Sequence, residues 1–164
     1  MGREEHISER NSEGRDRFPN RDGDFAVSFL DTLAETVGRE QVISILRKQW
    51  QRKATDYRRL VGSGSLQERV SKLVELRRAE GYMAECYPVE SVGVEMGDRD
   101  VKGDRFVLME HNCAISNVAE TFPSVCGNEL EMFAGVLPDC TIERTHWIID
   151  GEHRCGYLII ARKE

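Results

Sequence analysis

Cys113, Cys126, Cys140 and Cys155 stand in the last third of the sequence, with twelve, thirteen and fourteen residues between successive members. Four thiolates gathered in one small domain are the usual donor set for an iron–sulfur cluster or a structural zinc ion. Structural zinc sites are commonly built on close cysteine pairs, and no close pair occurs here, which counts against zinc. Four unrelated buried thiols is the third reading that the spacing leaves open. The fifth cysteine, Cys86 in ECYP, reads as a small buried hydrophobe. An odd total also argues against a closed disulfide framework.

Three histidines, His111, His146 and His153, neighbour this set. Strand alternation would place His153 and Cys155 on one face, making His153 the reserve ligand or supporting donor. Glu129 and Glu131 near Cys126 could be ligands, but solvated helix surface is the better reading of both. His111/Cys113 or His153/Cys155 could form a thiol–imidazole pair for nucleophilic chemistry. Neither pair has an orienting acid at a suggestive spacing, and either would explain one cysteine of four. No phosphate loop, dinucleotide-binding glycine pattern or HExxH motif is present. The expectation is therefore a binding protein, not an enzyme.

The elements that must position these residues follow from periodicity. Residues 1–22 are polar and aperiodic and read as a tail or connector; residues 23–164 read as one domain, helical over 23–81 and α+β over 82–164, the helical stripes being core or a dimer interface. Phe25, Phe29, Leu33 and Val37 recur every fourth residue, widened by Leu30 and Ala34, up to Gly38. A second helix is expected from about Glu40 to Val61, with Val42, Ile45, Leu46, Trp50, Ala54 and Tyr57 on one face. Ser65-Leu-Gln-Glu68 is a capping box that starts a third helix, burying Leu66, Val70, Leu73 and Val74 and ending at Gly81. The period then shifts toward two, giving strands over 82–95 and 105–111 around a polar turn, Met96 to Asp104. Two short helices, Ala114–Phe122 and Glu129–Val136, and a hairpin of Thr141–Ile149 and Glu152–Ala161 about Asp150-Gly151 complete an α+β fold: helices first, then a small antiparallel sheet with two short helices carrying the cysteines.

On this layout Cys113 starts the first short helix and Cys126 follows it. A nine-residue helix rises about 13 Å, so those sulfurs meet only if Pro123–Val125 turns the chain back. Cys140, after an antiparallel second helix, is expected close to Cys113, and Cys155 enters from the last strand. Cys126 is the hardest to bring in, unless a second subunit supplies a sulfur.

Composition sets the setting. Forty per cent apolar and 32 per cent charged residues suit a globular protein, and no apolar run approaches a membrane span. The charged N-terminus lacks the apolar stretch of a secretory signal, so a cytoplasmic location is expected. The net charge of −6 is uneven: Arg39 to Arg78 holds eleven Lys/Arg against four Asp/Glu. Such a stretch could track phosphates, but without interleaved aromatics or glycines it reads as solvated helix surface.

The stretch EHNCAISNVAETFPSVCGNELEMFAGVLPDCTIERTHWIIDGEHRCGYLI resembles the sensor half of the SufR family, repressors of iron–sulfur assembly genes. RFPNRDGDFAVSFLDTLAETVG, QWQRKATDYR and ERVSKLVELRRAEGYMAE look like the same family, so the resemblance runs from about Phe18 to Ile159. It implies a homodimer with an N-terminal DNA-binding winged helix and a C-terminal oxygen-sensitive iron–sulfur cluster, 4Fe–4S favoured and 2Fe–2S possible. Cys113, Cys126, Cys140 and Cys155 are the ligands it implies, with repression of the assembly operon relieved on cluster loss. Ser91–Asp104 is longer than the family pattern. HISERNSEGRDRFPNR resembles the end of the wing and its connector, so the winged helix itself is missing from this sequence and operator contact would need it. An electron-transfer or zinc-stabilised interaction module acting without DNA is the alternative.

Overall fold

The computed structural model describes residues 21–89 and 105–162. Three helices come first: α1 (Arg21–Val37), α2 (Arg39–Val61) and α3 (Leu66–Ala79). Then follow β1 (Ala84–Pro88), β2 (Arg105–Glu110), α4 (Ser116–Thr121), α5 (Ser124–Val136), β3 (Cys140–His146), a 3-10 turn (Ile148–Asp150) and β4 (Cys155–Ala161). The expected α+β arrangement is what forms. Of the expected tail 1–22, residues 1–20 lie outside the described residues and Arg21 already opens α1; the expected strand 82–95 beyond residue 89 and the turn Met96 to Asp104 also lie outside them.

Local chemistry explains the helix boundaries. Gly38 and Gly62 close α1 and α2 in backbone conformations with φ of 90° and 70°, which a side chain would strain. At the start of α3 the Ser65 hydroxyl accepts from the Glu68 backbone N–H, and the Glu68 carboxylate accepts from the Ser65 N–H. Pro123 precedes α5, its fixed φ of −59° already helical. That start lies five residues ahead of the expected one, so Cys126 falls inside the helix rather than in a connector.

The spine is α2, whose Val42, Leu46, Trp50 and Tyr57 are buried at helical spacing against α1, α3 and α5. Ile45, expected on that face, is exposed. In α1 the repeating Phe25, Phe29 and Val37 are also exposed, and Leu30, with Leu33 and Ala34 beside it, faces the core. The two phenyl rings stack on each other at 6.3 Å instead of entering the interior.

The sheet is antiparallel throughout, ordered β1-β2-β4-β3. Register sets Glu110 opposite both Ala84 and Cys155, Leu108 opposite Tyr157, and Ile142 opposite Ile159. Phe106, Leu108, Glu110, Cys155, Tyr157 and Ile159 therefore share the face that α3 and α5 cover. Full burial of a side chain such as Leu73, Leu108 or Phe133 stabilises the fold by about 1.5–3 kcal/mol each. A second, smaller apolar cluster joins α1, the first half of α2, α4 and the start of α5, and Cys126 belongs to it.

β3 and β4 are joined by an eight-residue connection around the 3-10 turn, not by the tight Asp150-Gly151 hairpin expected. His153 consequently sits in the exposed connection, and strand alternation does not pair it with Cys155.

Candidate metal centre

Three of the four spaced cysteines converge at one end of the sheet. Cys113 follows β2 after a two-residue turn, in which the Asn112 side-chain amide donates to the Gly81 carbonyl at 2.9 Å. Cys126 lies in the first turn of α5 and is buried. Cys155 opens β4 opposite Glu110, and its sulfur accepts from the Ile148 backbone N–H at 3.5 Å. Burial pushes the Cys113 thiol up to about 12, helped by nearby Glu129, Cys155 and Cys126. Burial likewise raises Cys155, with Glu129, Glu110 and Cys126 adding to it. Burial also raises Cys126, while the Trp147 N–H and the Arg144 guanidinium pull the other way. These thiols are neutral at physiological pH, so a metal that binds them must displace their protons.

Cys140 is not in this group. It opens β3 opposite Ala161, whereas Cys155 opens β4 opposite Glu110. Antiparallel strands start at opposite ends, and six residues of β4 at about 3.3 Å each separate the two by roughly 20 Å. Its surroundings are Asp139, Arg69 and Arg162. The expectation that α5 would return Cys140 close to Cys113 fails because α5, thirteen residues long, carries the chain away from Cys126 along the whole sheet. It is β3 that brings it back, delivering Arg144 and Trp147 to the site. Cys86 is half-buried on β1.

The histidines stand elsewhere. His111 pairs with Glu85 at the surface, the His146 ring meets the Thr145 hydroxyl at 3.0 Å, and His153 is exposed. Glu131 is exposed and bridges to Arg47, as expected of a solvated face. Glu129 is not: it is buried, one carboxylate oxygen accepting from Arg77 and the other from the Tyr157 hydroxyl at 2.7 Å.

Beneath the thiols lies a buried ion network that sequence reading missed. Arg77 has no exposed surface. Its Nε donates to Glu110 Oε1 at 2.6 Å, its Nη2 to Glu110 Oε2 at 3.3 Å and to Glu129, and its Cζ lies 3.6 Å from the centre of the Tyr82 ring. Burial pushes the Glu110 carboxyl up to about 7 despite Arg77, with Glu129 also raising it. One signal could have revealed the network. Arg77 extends the Leu66, Val70, Leu73 stripe of α3, Glu110 the Phe106, Leu108 alternation of β2, and Glu129 the Val125, Met132, Val136 face of α5. Charges standing on apolar faces are buried and paired, or not tolerated.

Among the described residues no three His, Cys, Asp or Glu side chains are arranged to hold one metal ion. A tetrahedral zinc needs all its ligands in one shell, at about 2.3 Å for each sulfur. A multi-iron cluster differs in that each cysteine ligates its own iron. Several donors beside Cys126 also lack a partner: Trp147 Nε1, Arg144 Nε, Asn128 Nδ2 and Ser124 Oγ are buried without hydrogen bonds. Buried donors normally find acceptors, and here only Arg144 reaches one, donating through Nη2 to the Cys126 carbonyl. The arrangement could hold a cluster through Cys113, Cys126 and Cys155, without a fourth thiolate. No family model and no curated protein matches the chain.

Proposed function

We propose that this chain is the iron–sulfur sensor module of a SufR-like repressor of iron–sulfur assembly genes, with a cluster held by Cys113, Cys126 and Cys155. The observation that supports the reading is that Cys113, Cys126 and Cys155, on a loop, a helix and a strand at one end of the sheet, lie close enough to influence one another electrostatically, beside unpaired buried donors. When bound, the cluster supplies an oxygen-sensitive redox centre. The chain's own residues orient it and exclude water: Trp147 and Ile148 pack over Cys126 and Cys155 from the β3–β4 connection. Arg77 ties α3 to Glu110 beneath Cys155 and to Glu129 one turn beyond Cys126.

The regulatory step is linkage. A group that binds one conformation better than another shifts the balance toward it, and its loss releases that bias. Cys126 stands on α5, and α5 packs along α2, so occupancy of the site would be felt by the helical half. We propose that this half forms the interface of a homodimer, offering the exposed Phe25, Phe29 and Val37 of α1. Operator DNA would be contacted by a winged helix outside this sequence. The described helices include none long and apolar enough to cross a membrane.

Anaerobic reconstitution with iron, sulfide and zinc assays tests the reading. Wild type and C140S should take up iron and sulfide in equal amounts, and C113S, C126S and C155S should each lose most of both. A colourless protein, or loss of the cluster in C140S alone, would sink the assignment. Reversible redox cycling in air with the cluster retained would favour an electron-transfer module over a sensor.

A further inference from the structure

The outward side of the helical half carries three strips side by side. Phe25 and Phe29 on α1 are 73% and 54% exposed, and Ile45 on α2 is 48% exposed. One exposed apolar residue is ordinary, whereas a patch spread over two helices marks a contact surface. Asp24, Asp31 and Glu35 line the open groove between α1 and α4. The phenyl rings follow about 100° further round α1, outside that groove. Lys48 and Arg52, about one turn apart, are exposed on α2, the other neighbour of α1. Acidic, apolar and basic strips thus succeed one another across the face. Among the described residues none of these five charges is in an ion pair, whereas Arg47, Lys53 and Arg59 of α2 all are. Asp24 accepts from the Asn117 amide at 3.4 Å.

We propose that two copies of this chain meet on this face about a two-fold axis parallel to α1 and α2, the acidic strip of each lying on the basic strip of the other. This rests on the homodimer reading given above and adds which helix meets which. A two-fold interface must be complementary to itself, and this face is. Rotation about that axis exchanges the two flanks and keeps each residue at its height, so acid meets base. An axis running across the helices would stack acid on acid. The heights agree as well. Leu30, eight residues before Gly38, shares an apolar cluster with Leu46, eight residues after it. α1 and α2 therefore run antiparallel, and positions equally far from Gly38 stand level. Asp24 then faces the partner's Arg52, and Asp31 lies within one turn of the partner's Lys48. Phe25, Phe29 and Ile45 meet their copies between the charged strips, where loss of apolar surface from water drives association. The charges beside them select the orientation and penalise like-charge alternatives.

In the full chain, D24K/D31K reverses the acidic strip and K48E/R52E the basic one, all four positions being exposed. Sedimentation velocity and native mass spectrometry read the assemblies. Wild type should be a dimer. In each variant alone the dimer dissociation constant should rise at least about tenfold, because like-charged strips then face each other twice. An equimolar mixture of the two should recover wild-type affinity as a dimer with one copy of each, since both of its strip contacts are complementary again. Variants as tightly dimeric as wild type, or a mixture no tighter than its components, overturn the pairing and leave the homodimer reading standing. A monomeric wild type overturns both. Should either variant fail to fold, Ser28→benzoylphenylalanine on the exposed side of α1 decides. Irradiation of that dimer should give a two-chain product joined through the partner's α2; joining through α1 or the sheet, or no product, overturns the proposal.

Discussion

At the scale of single residues, Arg77 decides most. Two buried carboxylates, Glu110 and Glu129, share one buried guanidinium, and the Tyr157 hydroxyl completes the set. Removing one member of such a group leaves uncompensated charge in a low-dielectric interior, which costs far more than the pair gains. R77L should therefore destabilise the apo-protein by about 3–5 kcal/mol, read as a lower urea midpoint. Adding E110Q and E129Q to R77L should recover much of that loss, because the remaining groups are then neutral. Recovery of nothing would mean that the network is held by packing and not by charge. The cysteines were easy to find in the sequence because of their type. Arg77, Glu110 and Glu129 were not, because a charged residue is ordinarily solvated and its burial depends on partners far apart in the chain.

At the scale of elements, capping and turn chemistry were readable in advance and packing faces were not. Ser65 and Glu68 form the capping box that their spacing announces. S65A should cost about 1 kcal/mol, and a melt unchanged within error would show that tertiary contacts alone hold the start of α3. Phe25, Phe29, Leu33 and Val37 make the apolar repeat on α1, yet Phe25, Phe29 and Val37 are exposed while Leu30 is buried with Leu33 and Ala34 partly buried beside it. Periodicity says that a helix has an apolar face; which of two adjoining stripes meets the core depends on where α2 and α4 lie. If the exposed stripe serves a second copy, F25E/F29E should convert a dimer to monomer in sedimentation without lowering the melting temperature. A monomeric wild type would remove the dimer proposal. The early start of α5 has a similar cause. Gly127 and the gap after Pro123 look like a break, but proline is favoured where a helix begins, and burial of Val125 and Cys126 outweighs one glycine.

At the scale of the whole molecule, the two ends of the sheet do different work. One end gathers Cys113, Cys126 and Cys155; the other holds Cys140 beside a surface ion pair, in which both Arg69 amino groups meet the Asp139 carboxylate at 2.7 Å. That pair ties α3 to the turn before β3. The Arg69 hydrogen bonds hold the Asp139 carboxyl below its ordinary value. A carboxylate whose folded pKa is depressed contributes stability above its unfolded pKa and loses it as pH falls through the folded one. Asp139 is half exposed, so the contribution is about 0.5–1 kcal/mol. D139N should show that deficit at neutral pH and none once the pH is well below the depressed folded value of the Asp139 carboxyl. Equal deficits at both pH values would place the effect in packing instead.

What the sequence determined by itself was local: helix and strand types, the capping box, the α+β order and the even file of four cysteines. These depend on neighbours within a few residues, through periodicity, caps and turn chemistry. What only the tertiary structure decided was membership. Strand direction sends Cys140 to the far end of β4, the length of α5 carries the chain there, and the return of β3 brings Arg144 and Trp147 instead. Even spacing along a chain says little about distance across a sheet, because antiparallel pairing sets which residues meet.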